Sequence, residues 1–229
     1  MRARVHGGRH HPADGAARTL PDVAVKRLPV YLRALGELAI AGQEIVSSAE
    51  LATYTGLTSE QIRKDLAMLG GFGTRGVGYQ VDRLGASIRS CLGLDREVPV
   101  ALVGAGHLGT ALARYNESRR QQPRIGAIFD ADPAKVGQRL GGAVIRGMDE
   151  IDATVRALGI RMAIIAVPAV GAQGVAARVV AAGCDVLLNF APVRLDLPAE
   201  VRVHNVDLAM ELESLAYYVR PGAPGVEGE

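Results

Sequence analysis

The stretch VPVALVGAGHLGTALARY, residues 98–115, decides how this chain is read. Its apolar opening, Val98 to Val103, has the length and continuity of a parallel strand buried on both faces. The glycine turn Gly104-Ala105-Gly106-His107-Leu108-Gly109 follows, and then an alanine-rich segment with helical spacing. Strand, tight turn and helix are the context in which a G-x-G-x-x-G is informative. Gly104 then allows the turn, Gly106 lets the backbone approach a pyrophosphate, and Gly109 lets the helix pack close on the strand. Phosphates would meet free N–H groups at a helix N-terminus, where the dipole also favours negative charge. The competing reading is a glycine-rich surface loop in a chain that holds 28 glycines.

The segments downstream repeat the alternation. Arg124 to Asp130 (RIGAIFD) reads as a second strand ending in an acid. Asp130 lies 26 residues after Gly104, near the place where dinucleotide folds put the carboxylate that binds a ribose hydroxyl. A carboxylate there favours NAD(H) and repels the 2′-phosphate of NADP(H); an Asp that caps the turn with Asp132-Pro133 is the plainer alternative. Gly142 to Arg146 predicts a short strand and Met148 to Leu158 a helix. Met162 to Val167, Asp185 to Phe190 and Val201 to Val206 predict further strands, with a helix over Val170 to Ala182. Strands alternating with helices give an α/β fold, a Rossmann-like doubly wound parallel sheet over residues 98–206. A last helix, Asp207 to Val219, sets Leu208, Leu212, Leu215 and Val219 on one face. It packs on its own domain or crosses to a partner subunit. Residues 221–229 (PGAPGVEGE) read as a disordered tail.

Upstream, residues 1–21 show no apolar period and predict a disordered extension, in which His6, His10 and His11 are solvated rather than metal ligands. From Asp22 the pattern turns helical, with Val30, Leu32, Leu35, Leu38 and Ala39 recurring at three- and four-residue steps as far as Gly42, and Pro29 near a kink or early turn. Ser47 with Glu50 spells a capping box ahead of a short helix. Thr55-Gly56-Leu57 makes a turn, and Thr58 with Gln61 spells a second box opening a helix through Leu66 and Leu69. Two short helices joined by a glycine-bearing turn are the helix-turn-helix signature. Its second helix would present Ser59, Glu60, Gln61, Arg63 and Lys64 to a major groove, with Ile62, Leu66 and Leu69 toward the core. Arginine can pair with guanine and both cations can neutralise phosphate. A plain helical hairpin with a solvated cationic pair competes with this. Gly70 to Val81 then predicts a β-hairpin, the wing of a winged helix, with Arg75 at its turn; a hairpin that only packs is the alternative. One more helix, Val81 to Leu94, completes a domain over residues 22–97.

Composition narrows the class. Residues 1–97 hold 13 Lys+Arg against 10 Asp+Glu, while residues 98–229 hold 13 against 14, so the small basic excess sits with the helix-turn-helix. Cys91 and Cys184 lie far apart with no CxxC, which predicts free, buried thiols and a reducing compartment. No apolar run approaches a membrane span and no signal segment is visible, so the expectation is a soluble cytoplasmic protein without metal. No nucleophile elbow, HExxH or ordered triad is present. His107 reads as a structural or phosphate-contacting residue and His204, on an apolar strand, as a core histidine.

A winged helix joined to a dinucleotide fold without catalytic residues resembles the Rex redox-sensing transcriptional repressors over residues 22–220. The motifs are LPVYLRAL (28–35), QIRKDLAMLGGFGTRGVGY (61–79), VGAGHLGTALARY (103–115), FDADPAKVG (129–137), LNFAPV (188–193) and NVDLAMELESLAYY (205–218). The resemblance implies a homodimer that binds pseudo-palindromic double-stranded operator DNA and lets go when NADH binds. It implies DNA contacts from Arg63, Lys64 and Arg75, and a pyrophosphate turn over Gly104 to Gly109. Asp130 falls on the adenosine ribose, and Val167, Pro168, Asn189, Phe190 and Pro192 on the cofactor site, the last three at the nicotinamide end. Arg33, Tyr115 and Asp207 match a trio that reports the redox state, Tyr115 also belonging to the cofactor site. The C-terminal helix, 207–220, matches one exchanged between protomers, with Leu208 where some relatives carry phenylalanine. Two other classes stay open on the residues alone. An NAD(H)-dependent dehydrogenase would need a general acid that is not evident, and a CoA- or nucleotide-binding module of a ligase is opposed by Asp130.

Overall fold

The computed structural model describes residues 20–219 except 71, 72, 75, 120 and 121. The chain divides after Asp95 into two compact units. Among the described residues no helix is long and apolar enough to cross a membrane. Of the segments read as disordered, 1–21 and 221–229, residues 1–19 and 221–229 lie outside the described residues, as does Arg75 of the wing, while Leu20 packs against the core of the first unit.

The first unit runs α1 (Asp22–Ile40), β1 (Ile45–Val46), α2 (Ser48–Thr55), α3 (Ser59–Met68), β2 (Tyr79–Gln80) and α4 (Val81–Cys91). α1 buries Ala24, Leu28, Tyr31, Ala34, Leu35 and Leu38, whereas Val30 and Ala39 face solvent. The buried stripe is therefore turned from the expected one, anchored on Leu28 and Tyr31. Pro29 lies inside α1 and does not end it. Its missing N–H leaves a carbonyl on the outer side, and burying Leu28 and Tyr31 on either side, roughly 2 kcal/mol each, offsets that loss. The core closes with Val46, Leu51, Ile62, Leu66, Val81, Leu84 and Ile88.

The wing departs from the expected hairpin. Thr74 and Gly78 form an isolated bridge, but the strand that follows, β2, pairs antiparallel with β1 from before α2. Gly78 has φ +110°, and a Cβ there would collide with the Val46 carbonyl, so the residue is bound to be glycine by the approach of β1. Cys91 is exposed, against expectation: it is the last residue of α4, on the stripe of Leu84 and Ile88 but at the helix end, where the core no longer covers it.

The second unit is a seven-stranded sheet in the order β5-β6-β4-β3-β7-β8-β9. Its strands are β3 (Pro99–Val103), β4 (Arg124–Asp130), β5 (Arg139–Leu140), β6 (Ala143–Gly147), β7 (Met162–Ile165), β8 (Val186–Asn189) and β9 (Arg202–Asn205). From β6 to β9 every pairing is parallel, as the doubly wound reading requires; β5 adds an antiparallel edge through the Gly141-Gly142 turn, which that reading did not contain. The apolar run in β3 is continuous because both faces are covered. Ala101 and Val103 pack with residues of α6 (Ile151–Ala157) and α7 (Ala169–Ala182), while Leu102 packs on the opposite side with Ala113 of α5 (His107–Arg119). Cys184 is buried, and burial pushes its thiol up to about 11. His204 is exposed and is not a core histidine: β9 is the edge strand, with one face open to solvent. The last helix, α8 (Leu208–Val219), buries none of its residues; Leu212 is 70% exposed and Val219 83%.

Candidate nucleotide and nucleic-acid sites

The order of the parallel strands reverses between β3 and β7, and open α/β sheets bind ligands in the crevice beyond the strand ends at such a point. The glycine turn sits there. Gly104 has φ +101°, its N–H donates to the Phe129 carbonyl at 2.8 Å, and a Cβ on it would run into the Ala166 carbonyl at the end of β7. A Cβ on Gly109 would collide with the Gly104 carbonyl, which is how closely α5 meets the turn. Gly106 is different: a Cβ there meets nothing within 4 Å. Two of the three glycines are demanded by the protein's own packing, and the third faces open space. His107 and Leu108, exposed, begin α5, and Gly106 supplies the carbonyl that accepts the Thr110 N–H at 2.8 Å. The first N–H groups of α5, next to Gly106 in sequence, have no partner within the helix.

Asp130 ends β4 beside the turn and is tied to it. Its Oδ2 accepts the Ala105 N–H at 2.7 Å and lies 3.1 Å from Lys135 Nζ; its Oδ1 accepts the Asp132 N–H at 2.8 Å. Burial alone would raise this carboxyl, but the Asp132 and Ala105 N–H groups and the Lys135 ammonium outweigh it and hold the group below the usual carboxylate range. With three donors engaged, the ionised carboxylate keeps acceptor capacity for a hydroxyl. Val167 lines the same place, its Cγ1 being 3.0 Å from a Cβ built on Gly104, and Pro168 precedes α7.

Asn189, at the end of β8, is fully buried and fully engaged. Its two Nδ2 hydrogens are shared among three acceptors, the carbonyls of Ala191 at 3.1 Å and Val193 at 3.0 Å and Asn205 Oδ1 at 2.9 Å, and its Oδ1 accepts the Ala191 N–H. This side chain shapes the 190–193 loop rather than reaching out of it. Phe190 is half-buried, its N–H bound to the Ile165 carbonyl, and Pro192 is exposed. Tyr115, midway along α5, is 60% exposed, with its hydroxyl 3.1 Å from Arg119 Nη1. Asp207 opens α8, its Oδ1 accepting the Ala209 and Met210 N–H groups. Arg33 is exposed on α1, in the other unit.

In the first unit the helix-turn-helix is built as its caps suggest, with one exception. Ser47 and Glu50 complete a capping box, and Gly56 (φ +67°) ends α2 in the left-handed conformation. Thr58 accepts the Gln61 N–H, but the Gln61 side chain does not return to close a second box; it donates forward to Asp65 Oδ1 at 3.0 Å. Arg63 and Lys64 are exposed, as expected, Arg63 Nη1 donating to Ser48 Oγ at 3.1 Å and Lys64 pairing with Glu60 at 2.7 Å. Ser59 is half-buried in the first turn of α3.

The residue that sequence reasoning passed over is Asp65. It is buried on the inner face of α3 and binds Arg27 through two hydrogen bonds of 2.6 and 2.8 Å, Tyr31 at 2.6 Å, and Gln61. Burial pushes its pKa up, yet the hydrogen bonds from Arg27, Tyr31 and Gln61 hold it below the usual range. Burial, with Asp65 beside it, raises the Tyr31 phenol. The available signal was an acid at position 65, between the apolar positions 62, 66 and 69 of one helical face.

A winged helix-turn-helix unit followed by a sheet with a dinucleotide-type turn defines a class, the ligand-responsive DNA-binding regulators. Residues 19–67 match the family described as putative DNA-binding protein N-terminus, and residues 95–193 the CoA binding domain. The redox-sensing transcriptional repressor Rex of Natranaerobius thermophilus is 46% identical over 87% of this chain and 91% of its own. The structure of RSP in complex with beta-NAD+ and operator DNA superposes with a TM-score of 0.81 at 33% identity, covering 87% of this chain and 92% of that one. That of RSP in complex with beta-NADH gives 0.75 at 31%, over 86% and 93%. The chain belongs to the Rex family of redox-sensing transcriptional repressors, regulators rather than enzymes.

Proposed function

We propose that this protein is a cytoplasmic homodimer that holds pseudo-palindromic operator DNA while NADH is scarce and releases it when NADH binds the second unit. What carries this reading is the pairing of Asp130 with the Ala105 N–H beside the open face of Gly106. A dinucleotide fits these residues: open space at Gly106 admits a pyrophosphate, the first turn of α5 offers N–H groups, and Asp130 offers an acceptor to a ribose. RSP, a related chain of known structure, has been captured with beta-NAD+ and operator DNA and with beta-NADH.

In this reading Gly104 to Gly109 hold the pyrophosphate and Asp130 the adenosine ribose. Val167 and Pro168 belong to the same cofactor site, Phe190 and Pro192 line its nicotinamide end, and Asn189 shapes that wall. The nicotinamide supplies the one difference in charge between NAD⁺ and NADH, so discrimination belongs at that end. Arg33, Tyr115 and Asp207 carry the response, and α8 is covered by a second copy of the chain. Ser59, Arg63, Lys64 and the wing residue Arg75 contact DNA, with Gln61 turned toward Asp65. NADH must favour the DNA-free arrangement, since a ligand with equal affinity for both shifts nothing.

The match of residues 95–193 to the CoA binding domain gives a second reading, CoA at the same turn. Asp130 opposes it, because a carboxylate beside the ribose repels a phosphorylated one. The test is fluorescence anisotropy on a labelled pseudo-palindromic duplex at fixed salt, because phosphate contacts make affinity salt-dependent. NADH is expected to release the duplex while NAD⁺ and CoA do not; release by CoA would move the chain to the second reading.

A further inference from the structure

Asn205 lies in register with Asn189, at the end of the exposed edge strand β9, where strand-forming propensity gives no reason for an asparagine. The backbone around Asn189 dictates which way its amide faces. The Ala191 N–H can only donate, so it takes Oδ1; the Ala191 and Val193 carbonyls can only accept, so they take Nδ2. The two Nδ2 hydrogens are shared among those two carbonyls and Asn205 Oδ1, whose 2.9 Å contact is the shortest of the three, so Asn205 presents its oxygen to a donor. The Asn189 main chain holds the same segment, its carbonyl accepting the Val206 N–H at 2.8 Å. One residue further on, Asp207 caps α8.

We infer that Asn205 is a positioning residue that couples the 190–193 loop to the start of α8. The inference rests on the reading of that loop as the nicotinamide wall. The chain of contacts is unbroken: loop carbonyls to Asn189, Asn189 to Asn205 and Val206, then Asp207 and α8. Asn189 is wholly buried, so it cannot turn without stranding polar groups of the loop, and stranded buried groups are costly. A shift of the loop is thus passed to residues 205–207 instead of being absorbed within the crevice. Asn205 itself is exposed, so its replacement leaves the core intact.

The test compares full-length wild type, Asn205→Ala and Asn205→Asp, the last keeping an acceptor oxygen. Operator affinity without nucleotide, NADH affinity without DNA, and the factor by which NADH weakens operator binding are measured at one salt concentration. Asn205→Ala should keep the first two within about twofold and lose about fivefold or more of the coupling factor, which typically spans about 5- to 150-fold. Asn205→Asp should restore it. Hydrogen exchange gives a second readout: NADH should alter protection of residues 205–212 in wild type and not in Asn205→Ala. Coupling unchanged in Asn205→Ala, or lost equally in Asn205→Asp, overturns the assignment. A wild type that NADH never releases overturns the functional reading itself and this inference with it.

Discussion

Tyr31 of α1 donates a 2.6 Å hydrogen bond to Asp65 of α3, and neither residue reaches solvent. Arg27, one turn before Tyr31, supplies the charge that balances the carboxylate. The helix that presents Arg63 and Lys64 is thereby fixed to α1 by a polar contact inside an apolar core. A buried charge of this kind is costly to leave without partners, and it sets the position of α3 more narrowly than leucine packing would.

Asp65→Asn should therefore destabilise the first unit by about 3 kcal/mol, the lower end for breaking a buried ion pair. Tyr31→Phe should cost about 1 kcal/mol, one hydrogen bond. The folded pKa of Asp65 is depressed, so its contribution is present above the unfolded value of about 3.9 and is lost as pH falls through the folded one. Thermal melts at pH 7 and at pH 2 to 4 check both points: the gap between wild type and Asp65→Asn narrows in acid.

The three glycines of the turn should separate by readout. Gly109→Ala and Gly104→Ala force a Cβ against a backbone carbonyl and should lower the melting temperature of the second unit. Gly106→Ala has room in the protein and should melt as wild type while losing NADH binding, followed by the nucleotide's own fluorescence.

Asp130→Asn should weaken NADH by about 10- to 100-fold, the worth of a hydrogen bond to a charged group, and narrow the preference for NADH over NADPH. Isothermal titration with both nucleotides measures the two effects together. CoA should not displace NADH from wild type.

Leu208, Leu212 and Leu215 stand exposed along α8, whereas each other described α-helix buries at least one apolar side chain. The double variant Leu212→Glu/Leu215→Glu should shift the mass seen by light scattering from twice 24.0 kDa toward 24.0 kDa. An unchanged mass would show that α8 is not the dimer contact.

Much of this architecture was legible because local chemistry and tertiary packing agree. The run 99–103, the capping box at Ser47 and the left-handed Gly56 each carry their own structural instruction. What escaped was set by partners distant in sequence. Asp65 takes its role from Arg27 and Tyr31, 38 and 34 residues away. β2 pairs with β1 because Gly78 admits Val46, which no pattern within 70–81 announces. Asn189 carries the same motif letters whether it touches a ligand or its own loop, and only its bonds show the second. His204 sits among valines, but burial depends on whether another strand covers β9.

The most direct measurement is calorimetric titration of NADH into the free protein and into the protein saturated with operator duplex, at one salt concentration, with NAD⁺ as control. Linkage requires that NADH bind the DNA complex more weakly, by the same factor by which NADH weakens DNA binding. The account predicts that reciprocal loss for NADH and little change for NAD⁺. Equal NADH affinity with and without DNA would contradict it.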